Sequence, residues 1–290
     1  MIRFLVNPAA GRGTAHARFT NLRILASQAG AGFVVSRDAA DLAAQARRAA
    51  EDGVERLVVV GGDGTAHHAA QGLAGTRCAL AVIPLGTGND LAATLGVPRE
   101  LAAAVRHALS APVRRIDLIR VGETVCIGYA GVGFDSEVAR AVQQIRRVPQ
   151  PLVYPWAVIR TLARFEPPIL KIVFDGGAWE GRAMFANACN LPRLGGGMRL
   201  APAARIDDGL LDLVIVKAMS RRALLAVFPK VYSGKHVGHP AVDFVQTRRA
   251  EITVDRDLWM FGGGEPVRLV EPDVAVTVEV VPGGLGVVVG

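Results

Sequence analysis

The sequence predicts an α/β domain built on a parallel sheet, followed by a β-sandwich. Three observations lead there. The first 115 residues alternate short apolar strands with Ala-rich helical stretches, the pattern of a parallel sheet covered by helices. From about Val113 the texture changes to β-branched runs cut by Gly, Pro and Asp turns. Glycine-rich loops directly follow three strands of the first half. A chain of 290 residues is long for one ordinary core, so two domains are expected. Residues 1–115 form the first, residues 116–281 the second, and the final strand, 282–290, is free to rejoin the first.

In chain order, strands are expected at Ile2 to Val6, Phe33 to Val35, Arg56 to Val60 and Ala79 to Ile83. Helices fall between them at Thr14 to Ala29 and Asp38 to Glu51, the second opening on a capping aspartate and closing before Gly53. Further helices are expected from Ala66, over Leu91 to Leu95 and over Arg99 to Leu109. The sandwich strands are expected at Val113 to Val121, Val125 to Ala130, Ile169 to Phe174, Leu210 to Val216 and Ala275 to Val281. Its inserted helices fall at Ser136 to Arg146, Pro151 to Phe165 and Ser220 to Tyr232. There is no internal repeat and no low-complexity linker.

A hydrophobic fraction of 51% with 20% charged residues describes a folding chain. No apolar run reaches the roughly 20 residues of a membrane-spanning helix, and the N-terminus leads into a strand without a leader pattern. A cytoplasmic protein is the expectation. Cys78, Cys126 and Cys189 lie far apart in apolar surroundings without metal-ligand spacing, and read as buried thiols. A net charge of +7 favours an anionic partner. The charge is spread and lacks aromatic-basic stacking, so nucleic acid is not expected.

The chemistry concentrates in the loops. Gly61-Gly62-Asp63-Gly64-Thr65 follows an apolar strand and opens a helix, a turn in which backbone amides and a helix N-terminus face a phosphate without Cβ interference. Asp63 would repel phosphate unless it holds a cation or accepts a hydroxyl proton. The plain alternative is a tight turn that needs glycine. A second loop of the same design, Pro84 to Asp90, follows the next strand, and a third, Asn7 to Gly13, follows the first strand and carries Arg12. Three such loops converge at the carboxyl ends of neighbouring strands, where open α/β sheets bind ligands. None matches the P-loop or the dinucleotide fingerprint.

These segments, with Ile116-Asp117, Ala130 to Asp135, Gly195 to Met198 and Ala201 to Asp212, resemble the diacylglycerol kinases of the bacterial soluble type, relatives of sphingosine and ceramide kinases. The resemblance covers nearly the whole chain. It implies a first domain similar to those of NAD kinases and phosphofructokinases, with a Rossmann-like parallel sheet, a C-terminal β-sandwich, and an active site in the cleft between. It also implies ATP held by Asn7, Gly11, Arg12, Gly62, Asp63, Gly64, Thr65, Gly86, Thr87, Gly88, Asn89 and Asp90. Magnesium is implied beside Asp63 and, in a supporting role, at Asp207, Asp208 and Asp212, since oxygen ligands suit a hard cation. The plain alternative for the acidic turn is a surface turn with a capping aspartate.

Two departures stand out. The family carries Asp-Gly-Glu late in the chain, its Asp serving as general base and paired with the residue here numbered Asp117. This chain reads Gly263-Gly264-Glu265 there. The family also has Asn-Glu where this chain has His67-His68, each of which reads as a polar helix residue or as part of the site. The resemblance therefore leaves three accounts: Glu265 as base, Asp63 as base, or impaired catalysis. Phosphoryl transfer relies mainly on positioning and charge stabilisation, which favours retained activity.

On the lipid side, Leu152, Val153, Trp156, Ile159, Leu162 and Phe165 recur at helical spacing beside Arg160 and Arg164. Such a helix packs on the sandwich, roofs a lipid pocket or lies on an anionic membrane surface, and the pairs Arg146-Arg147 and Arg221-Arg222 suit each case. The expected function is an ATP-dependent lipid kinase, peripherally associated with the inner face of the membrane, with diacylglycerol or a related lipid as acceptor. A homodimer is left open as a partner. Two other functions compete: a nucleotide-binding regulatory protein with a degenerate kinase site, and a kinase of water-soluble acceptors related to NAD kinase.

Overall fold

The computed structural model describes residues 1–10, 14–145 and 148–290. β1 (Ile2–Val6), β2 (Gly32–Val35), β3 (Arg56–Gly61) and β4 (Ala79–Pro84) form a parallel sheet in the order β2-β1-β3-β4. Every residue of β3 from Leu57 to Gly61 is buried, as expected of a parallel strand covered on both faces. The covering helices are α1 (Thr14–Gln28), α2 (Ala39–Glu51), α3 (Asp63–Leu73), α4 (Asp90–Thr94) and α5 (Leu101–Ser110). In α2 the inward residues Leu42, Ala46 and Ala49 follow helical spacing, and the Asp38 carboxylate caps the first turn by accepting from the Asp41 amide at 2.8 Å.

The second half opens with β5 (Val113–Val121), β6 (Thr124–Cys126), β7 (Tyr129–Gly133), α6 (Phe134–Gln144) and α7 (Gln150–Leu162). β8 (Ile169–Phe174), β9 (Gly177–Cys189), β10 (Leu211–Lys217), α8 (Arg221–Ser233), β11 (Val242–Thr247), β12 (Arg249–Val254), β13 (Leu258–Gly262), β14 (Glu265–Val270) and β15 (Val276–Val288) complete the chain. These strands pair antiparallel. β9 serves two layers: its first half pairs with β8 and its second with β7 and β10. That switch of partners along one long strand makes the corner of the sandwich.

β15 links the halves. Its start pairs with β12, its length with β5, and near its end Val287 pairs in parallel with Leu80 of β4. Leu285, Val287 and Val288 pack in the same core as Phe4, Leu57, Val58 and Leu80. A register shift between Val281 and Leu285 interrupts the β5 pairing.

Several expectations are corrected. The strand expected over Val125 to Ala130 is two, because Gly128 at φ 94° turns the chain between β6 and β7. The strand expected to stop at Val281 runs on to Val288. The helix expected from Ala66 begins one turn earlier, with Gly62 as its N-cap. Cys78, Cys126 and Cys189 are buried free thiols, and burial pushes the Cys78 thiol up to about 11 and the Cys126 thiol up to about 12. Among the described residues, no helix is long and apolar enough to cross a membrane.

Candidate active site

Because Gly62 caps α3, residues Asp63, Gly64 and Thr65 form its first turn, where amides have no intrahelical acceptor. An anion is the natural partner for such amides. Glycine is required around them by close approach. A Cβ on Gly86 would stand 2.5 Å from the Gly62 Cα, so the two loops touch glycine to glycine. A Cβ on Gly88 would stand 2.9 Å from Asp63 Oδ2 and 3.4 Å from the Gly196 Cα. The loops after β3 and β4 therefore meet each other and the 195–197 glycine run.

Side chains lock this meeting point. Asn7 Nδ2 donates to Thr65 Oγ1 at 3.0 Å, tying the end of β1 to α3. Asn89, in the left-handed region at φ 56°, accepts from the Gly86 amide and donates to its carbonyl, at 2.9 and 2.7 Å. The Asp63 carboxylate accepts from the amides of Asp90 and Leu91 at 3.2 and 3.1 Å, so it caps α4. Asp90, buried, accepts from the Gly196 amide at 2.6 Å. Burial raises the Asp90 carboxyl, and nearby Asp63 adds to the rise. Thr87 and Gly88 are exposed beside these contacts. Asn7, Gly62, Asp63, Gly64, Thr65 and Gly86 to Asp90 are thus brought together; Gly11 and Arg12 lie outside the described residues, as do Arg146 and Arg147.

The remaining predicted residues divide. Glu265 joins the site from β14: its Oε1 stands 3.4 Å from where a Cβ on Gly64 would be, and 3.8 Å from His68 Nε2. Asp117 has a different task. It is 3% exposed, and its two oxygens accept from the Gly209 and Gly283 amides, each at 2.7 Å. It pins the 206–209 turn and the irregular stretch of β15 to β5.

The acidic turn does not fit the expected magnesium ion. The Asp207 carboxylate is engaged by Arg114, Asp208 accepts from the Leu210 amide at 3.1 Å, and Asp212 is buried in β10 with Oδ2 unpartnered. Burial and the neighbouring Asp208 hold the Asp212 carboxyl above the usual carboxylate range. Among the described residues, no three His, Cys, Asp or Glu side chains gather to hold a metal.

The structure adds an apolar cavity that pattern reading missed. It lies between the sandwich and α6, α7 and α8, walled by Phe134, Phe185, Leu200 and Val227 among others. Among the described residues, Asn187 Oδ1 in its lining has no hydrogen-bond partner, and Asp135 Oδ1 has none beyond the near backbone amides of the first turn of α6. Asn187 Nδ2 donates to Asp135 Oδ2 at 2.7 Å. His236 also lines the cavity, its Nε2 on the Leu200 carbonyl at 2.8 Å and its Nδ1 unpartnered. The cavity borders the phosphate-type loops through the 194–198 segment. Leu194 and Met198, which flank the glycine run on Asp90, belong to its wall. Tyr129 hydrogen-bonds the Gly264 amide, one residue before Glu265. Asn187 could have drawn notice as an amide within the apolar run Ala183 to Cys189.

The apolar stripe of α7 splits between two environments. Val153, Ala157 and Leu162 are buried, whereas Leu152, Trp156 and Ile159 are 56%, 50% and 59% exposed.

Two family models match the chain: the diacylglycerol kinase catalytic domain over residues 1–121, and the YegS C-terminal NAD kinase beta sandwich-like domain over residues 128–289. The chain is 33% identical over 260 residues to the diacylglycerol kinase of Mycobacterium tuberculosis (strain ATCC 25618 / H37Rv), covering 85% of this chain and 82% of that protein. It is 28% identical over 271 residues to the diacylglycerol kinase of Bacillus subtilis (strain 168), covering 91% and 89%. A solved diacylglycerol kinase from Bacillus anthracis str. Sterne shares the fold at TM-score 0.77 and 22% identity, over 100% of this chain and 96% of that one.

Proposed function

The chain belongs to the diacylglycerol kinase family, and from that premise we propose that it transfers the γ-phosphoryl group of ATP to the hydroxyl of a lipid, with diacylglycerol or a related lipid as acceptor. One observation carries the lipid half of this reading: an apolar cavity with the buried acceptors of Asp135 and Asn187 in its wall adjoins the loops whose free amides suit phosphate. Buried polar atoms without partners are costly, and a water bound along with the lipid, donating to the buried acceptors of the wall, relieves that cost while the acceptor hydroxyl stays free for transfer. The ATP phosphates sit on the first-turn amides of α3 and against the Gly86 to Asp90 loop, with Asn7 holding Thr65 in place.

The cavity is narrow, about 70 Å³, so an acyl chain enters by parting α7 and α8. Those helices carry Leu152, Trp156, Ile159, Leu225 and Tyr232 exposed on their outer sides. With Arg160 and Arg164 alongside, they form the face that meets an anionic membrane surface, peripherally and without crossing it.

Acceptor series test this reading. Glycerol, short-chain and long-chain diacylglycerols are compared in mixed micelles with ATP in excess. Each methylene newly buried contributes about 0.8 kcal/mol, roughly fourfold in kcat/KM, so the ratio climbs with chain length until the parted cavity is full. Equal or better use of glycerol would contradict the lipid reading.

A further inference from the structure

We propose that His68, paired with Glu265, takes the proton from the acceptor hydroxyl during phosphoryl transfer. This rests on the kinase reading above. His68 stands on α3, just past the first-turn amides, and its Nε2 lies 3.8 Å from Glu265 Oε1. That same carboxylate oxygen overhangs Gly64, so the pair borders the place where a phosphate would meet those amides. Both side chains are open to solvent, His68 at 19% and Glu265 at 37%. A proton taken up there has a way out.

The groups facing His68 are Glu265 from β14, and His67 and Gln71 from its own helix. The His67 ring meets it edge-on with centroids 5.5 Å apart. His67 is 1% exposed, and burial with its neighbour His68 lowers its pKa to about 4, so it stays neutral beside the pair. Glu265 raises the His68 pKa above the ordinary histidine value, against the effect of burial. An imidazole in that range is a stronger proton acceptor at neutral pH than a carboxylate.

The hydroxyl oxygen forms a bond to the γ-phosphorus of ATP; the bond from that phosphorus to the β–γ bridging oxygen breaks, and its electron pair leaves on ADP. The hydroxyl proton passes to the neutral His68 ring, and the Glu265 carboxylate holds the resulting imidazolium. Lipid phosphate and ADP are the products.

The test is the pH profile of label transfer from ATP to diacylglycerol in mixed micelles, over about pH 5 to 9 to bracket the histidine range. Wild type, His68→Asn and Glu265→Gln are compared, with ATP affinity and melting measured for each. In wild type kcat rises with pH as His68 loses its proton. Glu265→Gln moves that limb to lower pH, because the group that raises His68 is gone. His68→Asn loses the limb and roughly 10²- to 10⁴-fold in kcat, with ATP affinity kept. Wild-type rate and profile in His68→Asn overturn the proposal while the kinase reading stands. Should His68→Asn fail to fold, an unmoved limb in Glu265→Gln overturns it equally. No transfer by wild type at any pH sinks the kinase reading itself, and this proposal with it.

Discussion

Gly263→Asp is expected to destabilise the protein and to add nothing to catalysis, although it would restore the family's aspartate. Gly263 sits at φ 60°, and a Cβ built there falls within 2.6 Å of the His67 ring carbon Cγ and closer still to Nδ1. His67 fills the space that any side chain at 263 would need. The two departures from the family pattern are therefore one arrangement: histidine at 67 goes with glycine at 263. Left-handed backbone adds about 1 kcal/mol for a non-glycine residue and overpacking about 1–3 kcal/mol, so a loss of roughly 2–4 kcal/mol is expected. Denaturant unfolding of Gly263→Asp, His67→Ala and the double variant checks it. The double variant should recover the steric part, a coupling of about 0.5–3 kcal/mol. Wild-type stability in Gly263→Asp alone would contradict the packing.

Gly86→Ala is expected to abolish tight ATP binding. Its Cβ would meet the Gly62 Cα at 2.5 Å and Asn89 Oδ1 at 2.9 Å, and it would break the mutual bonding of Gly86 and Asn89. The loop must then lift off Gly62, and the amides of α3 lose the surface that faces them. Calorimetric titration should show ATP weakened by about 100-fold or more, some 2.7 kcal/mol, in a protein that still melts cooperatively. Wild-type affinity would remove the phosphates from this meeting of loops.

The first half was legible because its signals are local. An apolar strand followed by glycines marks both the strand end and the ligand loop, and Asp38 marks a helix start by capping chemistry. In the sandwich, β8 and β10 stand out as β-branched runs, while β9, β11, β12, β13 and β14 do not. In β9 the run Ala183 to Cys189 mixes small, sulfur and amide side chains, since its residues pack between β7 and β10 and close approach replaces branching. The cavity was illegible because it depends on Asp135 and Asn187, 52 residues apart, meeting where the first turn of α6 lies against β9. The two backbone bonds of Asp117 were illegible for a related reason. A carboxylate with two distant backbone partners looks, in sequence, the same as one left free for chemistry.

The most direct measurement is label transfer itself. Purified protein is incubated with γ-labelled ATP, magnesium and a lipid extract supplemented with NAD and glycerol, and labelled species are identified by mass spectrometry. Label is expected in a lipid phosphate, in wild type and not in Gly86→Ala. Label confined to NAD or glycerol, or no label while wild type binds ATP, would contradict the account of this chain as a lipid kinase.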